Sequence, residues 1–338
     1  MLNYRFNVCL KPYNTLALAV KAHVFVEISN ESDLLEALTF AEQKSLNILL
    51  LSGGSNIVLS NDFDGLVIHI AIQGISIEQQ ADHVLVTAGA GENWHQLAMH
   101  CLNNGLNGLE NLVLIPGCLG AAPIQNIGAY GVELKDVFDS LKGWDRVKRC
   151  WRQLQLEDCH FAYRDSIFKG ELKDCFVITE VTLKLSRNQS ANVAYGVLND
   201  YLRRQGISQA TPLQVAQAVI AIRNSKLPDP SMLANAGSFF KNPVITHTTF
   251  KKIIQQYPSM PHYPAEHGNI KIAAGWLLET AGWKGVSQGD CGMHSKQALV
   301  LVNHGNATGE QVIAFAKAIQ KDIADKFAIT LEIEPRIY

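Results

Sequence analysis

Hydrophobic residues near the N-terminus follow first a strand spacing and then a helix spacing. Val24, Val26 and Ile28 alternate with other side chains, which predicts a strand. Asn30 is a suitable N-cap for a following helix, and Asp33 carries a favourable charge in its first turn. The apolar face of that helix is formed by Leu34, Leu35, Leu38 and Ala41. The pattern therefore predicts a strand followed directly by an amphipathic helix.

The same spacing rules predict strands and helices along the rest of the chain, without regular alternation. Strands are predicted at residues 48–51, 57–59, 66–71, 83–87, 177–185 and 330–334, the last stopped by Pro335. One helix is predicted to carry Trp94, Leu97, Ala98 and Cys101, and others are predicted over 212–223, near 270–282 and over 309–327. Thr308 and Gln311 form a capping box for the last of these. Because strands and helices mix irregularly, the fold class is α+β.

Composition narrows the classes of function. The 338 residues are 47% hydrophobic and 18% charged with a net charge of −2, so no global field attracts nucleic acid or an acidic membrane. No apolar run is long enough to span a membrane, and the N-terminus shows no signal pattern. The seven cysteines form no CxxC pair and indicate buried thiols in a reducing compartment. We therefore expect a soluble, cytoplasmic protein whose partners are small molecules.

Two glycine-rich segments are candidates for binding a ligand. Residues 52–56, Ser-Gly-Gly-Ser-Asn, follow a buried strand, and their backbone N–H groups could form a nest for a pyrophosphate. A tight hairpin turn is an equally good interpretation of this segment alone. Residues 115–131 hold four glycines and two prolines, a rigid loop that a ligand can approach closely. Gln125 and Asn126 add amides able to read a heterocycle edge, so we favour ligand binding here.

A third glycine pair does not indicate a dinucleotide fold. Gly89-x-Gly91 lies between a strand and a helix, but Trp94 occupies the third glycine position and would block close helix–strand packing. The histidine pairs 95/100 and 262/267 are five residues apart and do not share a helix face, so no metal site is implied.

Three charged or polar residues remain as candidates for chemistry. Arg164 lies among aromatic and apolar residues, where it either pairs with an acid such as Asp165 or awaits an anionic ligand, and the segment alone favours the pair. Ser238 lies in Asn-Ala-Gly-Ser-Phe-Phe-Lys-Asn-Pro, which on its own indicates a packed turn more than a catalytic loop. Glu334 shares one side of the final strand with Glu332, where exposed carboxylates are the ordinary expectation.

Together these segments resemble the UDP-N-acetylenolpyruvoylglucosamine reductases, also called UDP-N-acetylmuramate dehydrogenases, of the type I subgroup. The resemblance is collinear from about Tyr13 to Arg336. It implies a vanillyl-alcohol-oxidase-type (PCMH-like) FAD-binding fold in two subdomains with a separate α+β substrate domain. The implied boundaries are 1–70 with 329–338, then 71–228, then 229–328; the segment 226–230 is also a candidate boundary by composition.

The resemblance also implies a set of site residues. FAD would be held by Ser52, Gly53, Gly54, Ser55, Asn56, Pro116, Gly117, Gly120, Gln125, Asn126, Ile127, Gly128, Tyr130, Gly131 and Arg336. The substrate, UDP-N-acetylglucosamine enolpyruvate, would contact Tyr163, Tyr195, Lys226, Asn242, Tyr263, Lys284 and Gln297. The catalytic residues would be Arg164 and Glu334, which stabilise charge on the carboxylate, and Ser238, which gives a proton to carbon. NADPH is the implied co-substrate, and no metal or obligatory protein partner is implied; we expect a monomer.

Two departures from the family pattern and two alternatives accompany this interpretation. Pro335 replaces the usual apolar residue after Glu334, and Ala121 and Ala122 replace serines found in some relatives. One alternative is a flavin oxidase of the same fold, which would not use NADPH. The other is a nucleotide-sugar-binding protein without catalysis, which the joint presence of Arg164, Ser238 and Glu334 disfavours.

Overall fold

This computed structural model describes residues 2–338, in which helices and strands follow one another irregularly. The α-helices are α1 (Glu31–Gln43), α2 (Trp94–Asn103), α3 (Gly196–Arg204), α4 (Pro212–Lys226), α5 (His247–Gln256), α6 (Ala274–Thr280) and α7 (Gly309–Phe327). The first β-strands are β1 (Arg5–Cys9), β2 (Lys21–Ile28), β3 (Ile48–Leu51), β4 (Ile57–Val58), β5 (Phe63–Ile70), β6 (Ile75–Gln79), β7 (Val84–Gly89), β8 (Gly128–Ala129), β9 (Val132–Glu133) and β10 (Phe138–Asp145). They are followed by β11 (Cys150–Gln155), β12 (Phe176–Leu185), β13 (Ala234–Ser238), β14 (Val244–Ile245), β15 (His262–Pro264), β16 (Ile270–Ile272), β17 (Ser287–Gln288), β18 (Cys291–Met293), β19 (Val300–Asn303) and β20 (Arg336–Ile337). The predicted α+β class is confirmed.

Elements with strong local signals lie where the sequence predicted them. The Asn30 side chain accepts a hydrogen bond from the N–H of Asp33 at 2.9 Å and so caps α1. In α7, Thr308 and Gln311 form the expected capping box, and the apolar stripe of the helix is buried. These predictions are confirmed because each depends on residues within one or two turns of each other.

Two predicted elements have other bounds in the structure. The helix expected near 270–282 is confirmed only for α6, which begins at Ala274, because Ile270–Ile272 forms a strand. The strand expected at 330–334 is reduced to a single bridge, Ile333 with Phe240. The strand at the C-terminus lies after Pro335 instead, where Arg336–Ile337 pairs in parallel with β4. Proline cannot donate to a strand ladder, so Pro335 separates the two pairings rather than ending the structure.

The chain divides into two compact units. The first comprises residues 1–8, 22–53 and 64–225, and the second comprises residues 9–21, 54–63 and 226–338. The first unit contains a four-stranded sheet in the order β1-β2-β5-β3 and an antiparallel five-stranded sheet in the order β11-β10-β12-β7-β6. Val26, Leu34 and Ile68 join the four-stranded sheet to α1 in one core. Val86, Leu97 and Val219 belong to a larger core that α2 and α4 share with the five-stranded sheet.

The second unit is built on smaller sheets. An antiparallel sheet has the order β13-β19-β18-β17, and α7 contacts β18 and α6. A second sheet has the order β14-β16-β15, and β20 pairs with β4. Phe239 and Phe240 are fully buried after β13, with ring centroids 5.5 Å apart. Their burial fixes the segment that carries Ser238.

The cysteines are free thiols throughout the described residues, as expected, but they are not uniformly buried. Cys101, Cys159 and Cys291 are buried, and burial raises their pKa values to about 12, about 12 and about 11. Cys9 and Cys150 are exposed, so the expectation of buried thiols is wrong for them. Between residues 2 and 338 no helix is long and apolar enough to cross a membrane.

Candidate active site

The segments around Gly53 and Gly117 lie side by side in the first unit. A Cβ added to Gly53 would come within 2.9 Å of the Cα of Gly117, closer than real side chains approach a backbone. The carbonyl of Gly117 accepts the N–H of Trp94 at 3.0 Å, at the start of α2. Two segments predicted to bind one cofactor are therefore in direct backbone contact, and glycine is required at position 53 for that contact.

The same close packing continues through Gly120. Its N–H donates to the carbonyl of Ala90 at 2.9 Å, and a Cβ on Gly120 would come 2.5 Å from the Cβ of Ala90. Ser52 and the backbone of Gly53 hydrogen-bond to the thiol of Cys118, whose pKa is raised by burial in spite of those bonds. The thiol therefore stays protonated and acts as a packing group in this backbone surface.

Asn126 serves the loop itself. It is fully buried with φ 43°, and its amide donates to Glu133 Oε2 at 2.8 Å and to the carbonyl of Ala162 at 3.2 Å. Its Oδ1 accepts the N–H of Lys135 at 3.0 Å. These three hydrogen bonds give Asn126 a structural role in the loop, and its expected contact with a heterocycle edge stays a prediction. Ile127 is also buried, whereas Gln125 is half-buried.

Four of the predicted cofactor residues, Gly54, Ser55, Asn56 and Arg336, lie in the second unit. Gly54 has φ +54°, and a Cβ there would lie 2.1 Å from the carbonyl oxygen of Tyr13. The N–H of Arg336 donates to the carbonyl of Asn56 at 3.0 Å, which continues the β4–β20 pairing. Residues 54–56 and Arg336 are thus brought together although they lie near opposite ends of the chain.

Arg164 is positioned by the glycine-rich loop. Its Nη2 donates to the carbonyl of Gly128 at 2.9 Å, and its own carbonyl accepts Lys169 Nζ at 2.8 Å. Its φ of 54° lies in the left-handed region, which is unusual for a residue with a side chain. The guanidinium lies 5.6 Å from the ring centroid of Tyr163. Asp165 uses its own carboxylate to accept the N–H of Ser166 at 2.9 Å.

Ser238 and Glu334 lie on paired segments of the second unit. Ser238 ends β13, and the carbonyl of Phe239 accepts the N–H of Glu334 at 2.9 Å. The next two pairings follow in order, with Phe240 opposite Ile333 and the N–H of Lys241 donating to the carbonyl of Glu332 at 2.9 Å. Arg164 belongs to the first unit, so its convergence with the other two stays a prediction.

Tyr195 and Tyr130 form an aromatic pair in the first unit. Tyr195 is the N-cap residue of α3 and is 42% exposed. Its ring packs edge-on against that of Tyr130, with centroids 5.4 Å apart. Tyr130 has φ 50° and the following Gly131 has φ 82°, so the loop turns sharply at this pair. The predicted substrate tyrosine therefore lies against a predicted cofactor residue.

Two other predicted substrate residues meet at the start of α6. Asn242 Oδ1 accepts the N–H of Ala274 at 2.9 Å and so satisfies one N-terminal donor of the helix. Gln297 Oε1 lies 3.5 Å from where a Cβ on Gly275 would stand. Lys284 forms an ion pair with Glu279 at 2.7 Å, while Tyr263 and Lys226 are exposed.

The chain matches two protein-family models and is similar to known relatives along nearly its whole length. The family model of the UDP-N-acetylenolpyruvoylglucosamine reductase C-terminal domain matches residues 229–338, and that of an FAD-binding domain matches residues 22–149. The chain is 48% identical to the UDP-N-acetylenolpyruvoylglucosamine reductase of Pseudomonas syringae pv. syringae, over 98% of both chains. It is also 48% identical to that of Pseudomonas aeruginosa, over 97% of both.

The chain belongs to the UDP-N-acetylenolpyruvoylglucosamine reductase family. Its fold matches the crystal structure of the Thermus caldophilus enzyme with a TM-score of 0.70, at 21% identity, over 100% of this chain and 99% of the other. As a member of this reductase family it is an FAD-containing oxidoreductase, and the predicted family and FAD-binding fold are confirmed.

The backbone geometry of this reductase fits a large, flat cofactor that carries a diphosphate. Adjacent segments around Gly53 and Gly117 present peptide groups with no side chain between them. Gly54 adds a left-handed turn of the kind that points successive N–H groups in one direction. Across the described chain, no group of three or more His, Cys, Asp or Glu side chains could hold a metal ion.

Arg223, on α4, is a site candidate that the sequence interpretation missed. Burial lowers the pKa of its guanidinium; Tyr130 opposes that shift and the charge of Arg164 adds to it. The available signal was its position four residues after the buried Val219, which places a charged side chain on the apolar face of a helix. In this reductase Arg223 thus lies within electrostatic reach of two residues of the predicted site.

Proposed function

We propose that the protein catalyses the NADPH-dependent reduction of UDP-N-acetylglucosamine enolpyruvate to UDP-N-acetylmuramate, a cytoplasmic step of peptidoglycan precursor synthesis. The supporting observation is full-length identity of 48% to reductases of that name, combined with the pairing of the Ser238 and Glu334 segments. Bound FAD would supply the two-electron chemistry that links the nicotinamide to the vinyl carbon of the substrate. We expect a monomer that needs no metal.

Arg164 and Glu334 are proposed to act on the substrate carboxylate. Reduction at the terminal vinyl carbon places negative charge on the neighbouring carbon and its carboxylate, and preorganised donors stabilise such charge by several kcal/mol, on the order of 3. Arg164 offers a fixed planar fork, held at Gly128. Glu334, carrying a proton, would donate a hydrogen bond from the segment that faces Phe239.

Ser238 is proposed to deliver the proton that completes the product. The negatively charged carbon next to the ether oxygen is a strong base, so a nearby hydroxyl can protonate it although serine is a weak acid in water. The buried rings of Phe239 and Phe240 hold the backbone next to Ser238 and limit its movement. Ser238 would contribute to catalysis by lying close to that carbon.

The UDP-sugar is proposed to bind the remaining predicted residues. Lys226 and Lys284 supply positive charge for the diphosphate, and Tyr195 would close over it from its exposed position beside Tyr130. Asn242 and Gln297 lie near the N-terminus of α6, where polar ligand groups are readily placed. Tyr163 and Tyr263 complete the proposed contacts.

The test is NADPH oxidation by the FAD-loaded protein, with and without UDP-N-acetylglucosamine enolpyruvate. We expect oxidation to depend on that substrate and to be lost in Ser238→Ala, while NADPH still bleaches the flavin of the variant anaerobically. Ser208→Ala, at an exposed loop serine, is the matched control and should turn over normally. Normal turnover of Ser238→Ala would remove the serine from the mechanism. A flavin that NADPH does not bleach would indicate an oxidase.

A further inference from the structure

Arg223 is a charged side chain without a compensating anion. Its Nε is shielded from solvent and has no hydrogen-bond partner among residues 2–338. The groups that act on its charge are Tyr130 and Arg164, and neither is a carboxylate. A guanidinium withdrawn from water in this way is costly unless an anion binds it. The folded protein retains this energetically unfavourable burial of the Arg223 guanidinium, which is typical of a binding site.

The surroundings of Arg223 are positive or neutral. Arg164 brings a second guanidinium, and two like charges in a partly buried region repel each other. His95 accepts the N–H of Leu114 on Nδ1 at 3.0 Å, and burial together with Arg223 lowers its pKa, so the ring is neutral. Burial raises the pKa of Tyr130, so its phenol is neutral as well. The cluster therefore has the charge of an anion site.

The geometry around the cluster indicates which anion it would accept. Arg164 donates to Gly128 in the loop that also carries Tyr130, whose ring packs edge-on against Tyr195, the tyrosine proposed to close over the substrate. Guanidinium groups bind carboxylates through paired, planar hydrogen bonds, and a carboxylate has two oxygens that can serve two arginines. An anion between the two arginines would also relieve their mutual repulsion.

We propose that Arg223 is the second cation of the carboxylate subsite, so that Arg164 and Arg223 together bind the carboxylate of the unsaturated substrate. This inference rests on the proposed function. It assigns to Arg223 the selection of a carboxylate-bearing UDP-sugar over one that lacks the carboxylate, and a share in stabilising the charge that develops there during reduction.

The test compares two ligands on the FAD-loaded protein by titration calorimetry. UDP-N-acetylglucosamine enolpyruvate carries the carboxylate and UDP-N-acetylglucosamine does not. In the unaltered protein we expect the first to bind more tightly. In Arg223→Gln that preference should fall by about 10- to 100-fold, the worth of a charged hydrogen bond, with the affinity for UDP-N-acetylglucosamine unchanged. Arg223→Lys keeps the charge and should recover part of the preference.

Arg204→Gln, which removes an equal charge from an exposed position on α3, is the control and should leave both affinities unchanged. An unchanged preference in Arg223→Gln overturns the proposal, as does an equal loss for both ligands. A shifted midpoint potential of FAD with the preference intact also overturns it, since Arg223 would then act on the cofactor. If the glutamine variant loses FAD, the lysine variant decides: a preference retained in part or in full supports the charge role, and none refutes it. Failure of the unaltered protein to bind the enolpyruvyl ligand would refute the proposed function itself.

Discussion

The backbone N–H of Glu334 donates to the carbonyl of Phe239 at 2.9 Å, one residue after Ser238. This bond aligns the end of the chain with the segment that carries the proposed proton donor. Pro335, a departure from the family pattern, does not remove the alignment, because the bonds to Phe239 and from Lys241 lie before it and the separate pairing of Arg336 with Ile57 begins after it. The proposed roles of Ser238 and Glu334 are therefore compatible with a single active-site surface in the second unit.

Two replacements of Glu334 distinguish its role as a hydrogen-bond donor from a role that needs the carboxyl group itself. Glu334→Ala should lower kcat by about 100- to 1000-fold, the usual loss of one donor to a developing oxyanion. Glu334→Gln keeps an N–H donor and should recover part of that loss. The measurement is steady-state NADPH oxidation with saturating substrate. Glu332→Gln is the control, because Glu332 is exposed and pairs with Lys241; a similar loss there would contradict a specific role for Glu334.

Gly53 should be intolerant of any side chain. Alanine would bring a Cβ within 2.9 Å of the Cα of Gly117, and the Gly117 backbone is held in place by the bond that it accepts from Trp94. We expect Gly53→Ala to destabilise the fold by about 1–3 kcal/mol and to lower the FAD content. The readouts are urea unfolding and flavin absorbance relative to protein absorbance. Gly305→Ala, with open space around its Cβ, should retain FAD; equal retention in Gly53→Ala would refute the argument.

Local signals in the sequence were sufficient for some elements and not for others. The capped helices α1 and α7 were predictable because cap and apolar stripe lie within a few turns. The pairing of Ile333 with Phe240 was not, because the partner strand lies far away in sequence. Short strands such as β20 carry little pattern of their own, and their position depends on the sheet that accepts them.

In the candidate site, too, some residues could be identified from the local sequence and others only from the folded structure. Gly53 and Gly117 were found from composition, but their contact required the fold. The sequence around Asn126 predicted a ligand contact but gave no sign of its hydrogen bonds to Glu133 and Ala162, which the fold brings to the same buried amide. Arg223 has no motif, and its importance arises only from burial next to Arg164.

The three internal bonds of Asn126 make a stability prediction. Asn126→Ala removes two donors and one acceptor from fully buried positions and places alanine at φ 43°. We expect a loss of about 2–4 kcal/mol in the free energy of unfolding, measured by urea denaturation. Asn188→Ala, at an exposed position, should change it by less than about 0.5 kcal/mol. If Asn126→Ala leaves the free energy of unfolding unchanged, the three bonds do not stabilise the fold, and a role of Asn126 in binding a ligand is favoured instead.

Asp145 should make stability depend on pH in the acid range. Burial alone would raise the pKa of this carboxyl, but the N–H of Lys148 at 2.8 Å, Arg152 at 2.8 Å and the N–H of Val147 at 3.0 Å together hold it below its usual value. A lowered folded-state pKa means that the stabilisation is complete above the unfolded value, near pH 4, and is lost as the pH falls through the folded value.

Asp145→Asn should therefore be less stable than the unaltered protein by about 1–3 kcal/mol at pH 7, and the difference should shrink below about pH 4. Urea unfolding at several pH values between about 3 and 7 measures both effects. Asp64→Asn, at an exposed carboxylate, should show little difference at any of these values. A difference for Asp145→Asn that grows as the pH falls would have the wrong sign, and would mean that the carboxyl is protonated, not ionised, in the folded protein.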